Sequence, residues 1–331
     1  MPETLLPVEL WHWFGFGGLV VALLTLDLVV FHRHVHTPTL RESAGWSVFW
    51  IALALVFNGV IWWWGFREHG NSHAGVNFLT AYLVEKSLSV DNLFVFAVIF
   101  RFFQVPMKYQ YRVLFWGILG AVFLRLAFIL AGVELIHRFE FLLAVFGVFL
   151  IYSAVKLAMA HDSEVHPEKN VLLRTARRLL RVSREDHGER FFARENGRRC
   201  ITPLFLVLLV VESTDVVFAV DSVPAVIGIT RDSFVVFTSN VFAILGLRAL
   251  YFLLAGVMDR FRYLHYGLSA VLGFIGVKMI AEYAAKVWMN RKDLDLIPSW
   301  VSLLVVAGLL AISMVASMVA TRREQRRGEG G

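Results

Sequence analysis

Residues 204–228, LFLVLLVVESTDVVFAVDSVPAVIG, form an apolar run long enough to cross a bilayer, yet it contains Glu212, Asp215 and Asp221. A carboxylate at membrane depth costs on the order of 2.5 kcal/mol or more, so three in one span require partners or a task. At 100° per residue, Glu212 and Asp215 share one helix face, whereas Asp221 points about 120° away from Asp215. Pro224 removes an N–H and its ring clashes with the carbonyl of Val220, so the spacing predicts a kinked or broken helix. Freed carbonyls would then lie beside a carboxylate, with the hydroxyls of Ser213, Thr214 and Ser222 nearby. That is the chemistry of a hard-cation site.

The remaining sequence supports a membrane setting. Its 331 residues are 58% hydrophobic and 18% charged, with a mean hydropathy of +0.65, outside the range of soluble domains. The expected fold class is all-α, a polytopic membrane protein. The single cysteine, Cys200, leaves no internal disulfide, CxxC motif or thiolate zinc site. The net charge of +6 is explained by loops on one side of a membrane, and nucleic acid is not expected as a partner. The first apolar run has no preceding Arg or Lys and no small-residue cleavage site, so it is expected to remain as a span and not be removed as a signal peptide.

Apolar windows give about nine spans, near 10–31, 45–64, 77–100, 112–133, 139–159, 204–228, 233–257, 264–287 and 298–320. Tryptophans, Trp11, Trp13, Trp46, Trp62, Trp63, Trp64, Trp288 and Trp300, cluster at their ends. Arg33, Arg41, Arg101, Lys108, Arg112, the Arg-rich stretch up to Arg199, Arg260, Arg262 and the tail from Arg322 to Arg327 all fall on one side. The positive-inside rule makes that side cytoplasmic, with the N-terminus outside, in the cell's inner (plasma) membrane. The loop at about 160–203 is too short for a domain of its own. Within it, 172–182 reads as a basic amphipathic helix lying on lipid, and Asn196-Gly197 marks the turn of a short β-ribbon. The run His32, Arg33, His34, Val35, His36 is expected to be an interfacial loop.

An internal repeat organises the spans. Ser89-Val90-Asp91 returns as Ser213-Thr214-Asp215, LRLAFILAGV at 124–133 as LRALYFLLAGV at 247–257, FEFL at 139–142 as FRYL at 261–264, and the VK of 155–156 at 277–278. The first repeat covers about 77–159, the second about 204–287, and a final helix follows at about 298–320. Three spans per copy is an odd number, so the copies insert in opposite directions, a 3+3 inverted repeat of the kind that underlies alternating access. The third and sixth spans should then meet near the midplane, bringing together Glu85, Asp91, Asn92, Glu212, Asp215 and Asp221. Lys86, Arg125 and Arg248 are the cations at that depth, and acid exceeds base. Oxygen ligands without His or Cys favour Mn²⁺, Mg²⁺ or Ca²⁺. Crowded carboxylates also repel one another, so protons can replace a departing metal.

These motifs, VEKSLSVDNLFVF at 84–96, VVESTDVVFAVDSVPA at 210–225 and TSNVFAILGLRALYFLLAGV at 238–257, resemble the TerC family of integral membrane proteins, in particular its Alx-type members. The resemblance runs over nearly the whole chain. It implies export of metal ions, usually Mn²⁺, under manganese excess or alkaline stress, with Glu85, Asp91, Glu212, Asp215 and Asp221 as the family acids and Asn92 as its amide. The family's link to tellurite resistance has little chemistry in common with a cation-lined path.

The expected function is therefore a transporter with a divalent metal cation as substrate, no cofactor and membrane lipid as surroundings. The alternative is a membrane hub or stress-resistance protein that binds metal or partners without transport. No catalytic or nucleotide-binding motif is present, so an enzyme is not expected. Asp27, Asn58, Ser89, Ser213 and Asn240 are supporting candidates, Arg125 and Arg248 either counter-ions or braces. Lys156 and Lys278 are expected to snorkel to the interface.

Overall fold

A computed structural model describes the chain except for residues 1–5, 7, 33–38, 70–72, 160–172, 176–177, 179–180, 184–186, 196–197, 256–262, 290–295 and 329–331. Its helices are α1 (Leu10–His32), α2 (Leu40–His69), α3 (His73–Phe102), α4 (Met107–Arg138), α5 (Leu142–Met159), α6 (Pro203–Ile227), α7 (Ser233–Leu245), α8 (Leu247–Ala255), α9 (Leu264–Met289) and α10 (Ser299–Gly328). Strands β1 (Phe192–Glu195) and β2 (Arg198–Ile201) form the one sheet among the described residues.

Helix starts follow from local chemistry. Before α2, the Thr39 amide donates to Glu42 Oε2 at 2.8 Å and the Glu42 amide to Thr39 Oγ1 at 3.3 Å, a reciprocal capping box. Thr202 caps α6, accepting from the Phe205 amide, and Pro203 takes the first helical position, where its missing N–H costs nothing. Asp232 caps α7 through the amides of Phe234 (2.9 Å) and Val235 (3.2 Å).

Among the described residues seven helices, α1, α2, α4, α5, α6, α9 and α10, are long and apolar enough to cross a membrane. The bent pair α7 and α8 makes an eighth candidate. Helix α3 is 30 residues long but carries Glu85, Lys86 and Asp91 in its middle. Of the tryptophans expected at span ends, Trp11, Trp62, Trp63, Trp288 and Trp300 are exposed, whereas Trp13, Trp46 and Trp64 pack against the core.

Packing is pairwise: α3 lies on α7, α4 on α6 and α5 on α9, with α1 and α2 covering the α7–α8 side and α10 covering α3 and α9. Phe57, Phe78 and Phe242 fill the centre of the α2–α3–α7 contact. The α5–α9 crossing is close enough that a Cβ on Gly147 would stand 2.8 Å from the Gly276 carbonyl oxygen, and one on Gly276 2.7 Å from that of Gly147.

Two expectations are corrected. The helix carrying Pro224 is not broken there: α6 runs on to Ile227 with the proline in its last turn, where only the one N–H owed to the Val220 carbonyl is missing. The break instead falls at Gly246, where α7 and α8 meet at 42°. Lys156 is exposed as expected, but Lys278 does not snorkel: it is buried and pairs with Glu282 at 3.7 Å, one turn along α9.

The ribbon expected in the long loop is present, antiparallel, with Phe192 opposite Ile201 and Arg194 opposite Arg199. Its turn, Asn196-Gly197, lies outside the described residues, as do His34 and His36. Of the expected amphipathic segment, 173–175 is helical and Leu173 is buried, while much of the rest lies outside them.

Candidate metal centre

Arg125, on α4, is 1% exposed and joins the two halves of the chain. Its Nη2 and Nε donate to the carboxylate of Asp215 on α6, at 3.1 and 3.3 Å, a two-pronged contact suited to the planar guanidinium. Its Nη1 donates to Ser222 Oγ at 3.3 Å and is ion-paired with Glu85 Oε1 of α3. One cation thus serves carboxylates from both acidic motifs. Asp215 and Ser222 are about two turns apart on α6, so both face α4.

The other acids lie around this centre. The Glu212 carboxylate lies against Gly120 of α4, in the space that a side chain at 120 would fill. Asp221, on another face of α6, accepts from Ser153 Oγ of α5 at 2.7 Å. Asn92 is buried on α3, and Asp91 lies in α3 with its side chain outside the described residues. Among the described residues, Glu85 and Asp215 are brought together, and Glu212 and Asp221 flank them on α6. No three acidic, histidine or cysteine side chains there form one shell.

Ser213 and Thr214 both donate back to the Val210 carbonyl of their own helix, at 2.8 and 2.7 Å. Ser89, Asn58 and Asn240 are buried; Ser89 Oγ, Asn58 Oδ1 and both amide atoms of Asn240 have no hydrogen-bond partner among the described residues. Asp27 of α1 pairs with Arg248 of α8, whose Nη2 also donates to the Asp27 carbonyl at 3.2 Å.

Arg125 and Arg248, though matched by the repeat, therefore hold different partners. Among the described residues Lys86 is paired with no acid: its Nζ donates to the Ala243 carbonyl of α7 at 3.1 Å.

Two contributors were not legible as site residues, Ser153 and Gly120. A lone serine in the apolar α5 and a small residue one turn before Arg125 were the only signals, and both are common in helix packing.

Chemically, the centre is a partly buried group of hard oxygen donors with a fixed guanidinium among them. Such donors suit hard divalent cations over thiophilic metals.

The model of the "Integral membrane protein TerC family" matches residues 71–325. An uncharacterized membrane protein of Myxococcus xanthus is 49% identical over 310 residues, 94% of this chain and 92% of its own. A protein of Escherichia coli named "Putative membrane-bound redox modulator Alx" is 44% identical over 321 residues, 96% of this chain and 97% of its own. An uncharacterized membrane protein of Rickettsia bellii is 37% identical over 308 residues, 93% of this chain and 97% of its own. No solved structure matches. The acidic motifs and the centre built from them lie inside the matched region, and the chain belongs to the TerC family of integral membrane proteins.

Proposed function

We propose that this protein exports divalent metal cations, Mn²⁺ first among them, by alternating access of two inverted three-helix repeats in the inner membrane. The observation that carries the reading is that Arg125 holds Glu85 and Asp215, one from each acidic motif, in one place. An entering cation takes these carboxylates from the guanidinium, so binding is coupled to rearrangement between the halves. Glu212 and Asp221, Asp91 and Asn92 on α3, and neutral oxygens such as Ser89 Oγ and Asn240 Oδ1 complete the donor set. Protons replace the metal on the acids during the return step.

Packing supports the inverted repeat. First helix lies on second helix in both directions, α3 on α7 and α6 on α4, and third lies on third, α5 on α9. At the offset of 122 residues that aligns the VK pairs, Gly147 matches Ser269 and Ala154 matches Gly276. The close approach of Gly147 to Gly276 and the bond from Ser269 Oγ to the Ala154 carbonyl, 2.6 Å, are then one contact repeated about a two-fold axis.

Direction supports nine spans. Helices α1 and α7–α8 run parallel, from the Leu6–Asp232 contact through Trp13–Phe234 and Phe16–Phe237 to Asp27–Arg248. Parallel packing of the first span and this later one fits a reading in which α3 crosses the membrane between them, despite its charges. Nine crossings put the termini on opposite sides, and the one-sided arginines make the C-terminal side the cytoplasmic one in this reading. The redox role in the relatives' name finds no dithiol here, since Cys200 is the one cysteine and is buried.

The test is Mn²⁺ flux in reconstituted vesicles with and without an imposed pH gradient. Glu85→Gln, Asp215→Asn and Asp221→Asn are expected to abolish flux at normal protein abundance. Wild-type rates in these variants would refute transport through this centre.

A further inference from the structure

Lys86 lies at the break at Gly246 and, among the described residues, makes no contact with the Arg125 group. Helix α7 stops at Leu245, and the chain resumes as α8 at an angle of 42°. The last carbonyls of a helix lack the N–H groups of a following turn and carry the negative end of its dipole. In water they would be solvated. Here the segment Phe234 to Leu245 is buried; the Ile244 carbonyl accepts from the Gly246 N–H, and the Ala243 carbonyl needs a donor or a cation from outside the helix.

That cation is on α3. Lys86 Nζ donates to the Ala243 carbonyl at 3.1 Å, and among the described residues no carboxylate is paired with it. Gly246 makes the room. A Cβ there would stand 2.9 Å from Lys86 Nζ and 2.9 Å from Trp50 Cβ, so the ammonium occupies the angle of the break between α2 and α3. The neighbouring cation, Arg248, is already neutralised by Asp27. Glu85, one residue earlier on α3, turns about 100° away to Arg125. The charge of Lys86 is thus balanced by the end of a half-helix, the setting in which broken membrane helices coordinate free monovalent cations.

We infer that the C-terminal end of α7 is a monovalent-cation site whose resident ion is the tethered ammonium of Lys86. Removing the side chain leaves a site for a free Na⁺ or a small primary ammonium ion. The inference needs only α2, α3 and the bent pair, and it would survive loss of the Mn²⁺ reading.

The experiment reads thermal unfolding of the purified full chain in detergent, in choline chloride, sodium chloride and methylammonium chloride at equal ionic strength. Wild type is expected to melt at the same temperature in all three. Lys86→Ala is expected to melt lower in choline and to regain about 3 °C or more in Na⁺ or methylammonium. Lys86→Met, which keeps an apolar stem in the space and drops the charge, is expected to melt low in every salt. A Lys86→Ala protein that gains no more than wild type from either cation would overturn the inference. So would a Lys86→Met protein as stable as wild type, which keeps the idea testable if the alanine variant does not fold.

Discussion

Glu85 of α3 and Asp215 of α6, 130 residues apart in the chain, share a single guanidinium, that of Arg125. All three side chains are buried. Removing one partner of such a group leaves uncompensated charge, which costs about 3–5 kcal/mol. Arg125→Met is therefore expected to lower the unfolding temperature sharply. Adding Glu85→Gln and Asp215→Asn to it removes the stranded charges and should restore most of the loss, a recovery that independent contributions of the three residues would not produce.

The helical, membrane character of the chain was legible from its long apolar runs, and the acids stood out as charges within them. How each acid is satisfied was not. Glu85 and Lys86 are adjacent letters in α3, yet one turns to a guanidinium on α4 and the other to a carbonyl on α7. Helix geometry sets Asp221 on a different face from Asp215, but nothing in the spacing shows that Ser153 of α5 meets it there. The break was misplaced for a local reason: Pro224 is the stronger signal, but it sits at a helix end. Gly246 has no signal beyond being a glycine, and its role depends on Trp50 and Lys86 arriving from elsewhere.

The α5–α9 crossing gives a packing test. Each of Gly147 and Gly276 places its carbonyl where the other's Cβ would stand. Because the close neighbour is backbone on both sides, neither substitution can be absorbed by a rotamer change. Gly147→Ala and Gly276→Ala are each expected to destabilise by about 1–3 kcal/mol, read as the midpoint of denaturant unfolding in detergent.

Asp232, itself buried, does two jobs at the start of α7. Its Oδ1 accepts from the Phe234 and Val235 amides, and its Oδ2 accepts from the Leu6 amide at 2.8 Å, tying residues before α1 to the second repeat. Asp232→Ala is expected to cost about 1 kcal/mol for the lost cap. It should also release Leu6, so hydrogen exchange at the Leu6, Phe234 and Val235 amides is expected to accelerate together. Exchange that quickens at α7 alone would mean that Leu6 is held by other contacts.

The ribbon in the long loop carries a pH dependence with a definite sign. Ser183 Oγ donates to Glu195 Oε1, and His187 Nε2 lies 3.1 Å from the same oxygen. These two hydrogen bonds, Ser183 first, hold the Glu195 carboxyl below its ordinary value of 4.5. A carboxylate depressed in the folded state stabilises it fully above the unfolded value and loses that contribution as pH falls through the folded one. Attachment of β1 to Ser183 and His187 should therefore hold at pH 6 and loosen below about 4.5. A nitroxide attached through Phe192→Cys in a Cys200→Ser background reads this as increasing mobility between pH 5 and 3. Glu195→Gln, which cannot ionise, is expected to flatten that profile; the same acid transition in both proteins would place the responsible group elsewhere in the loop.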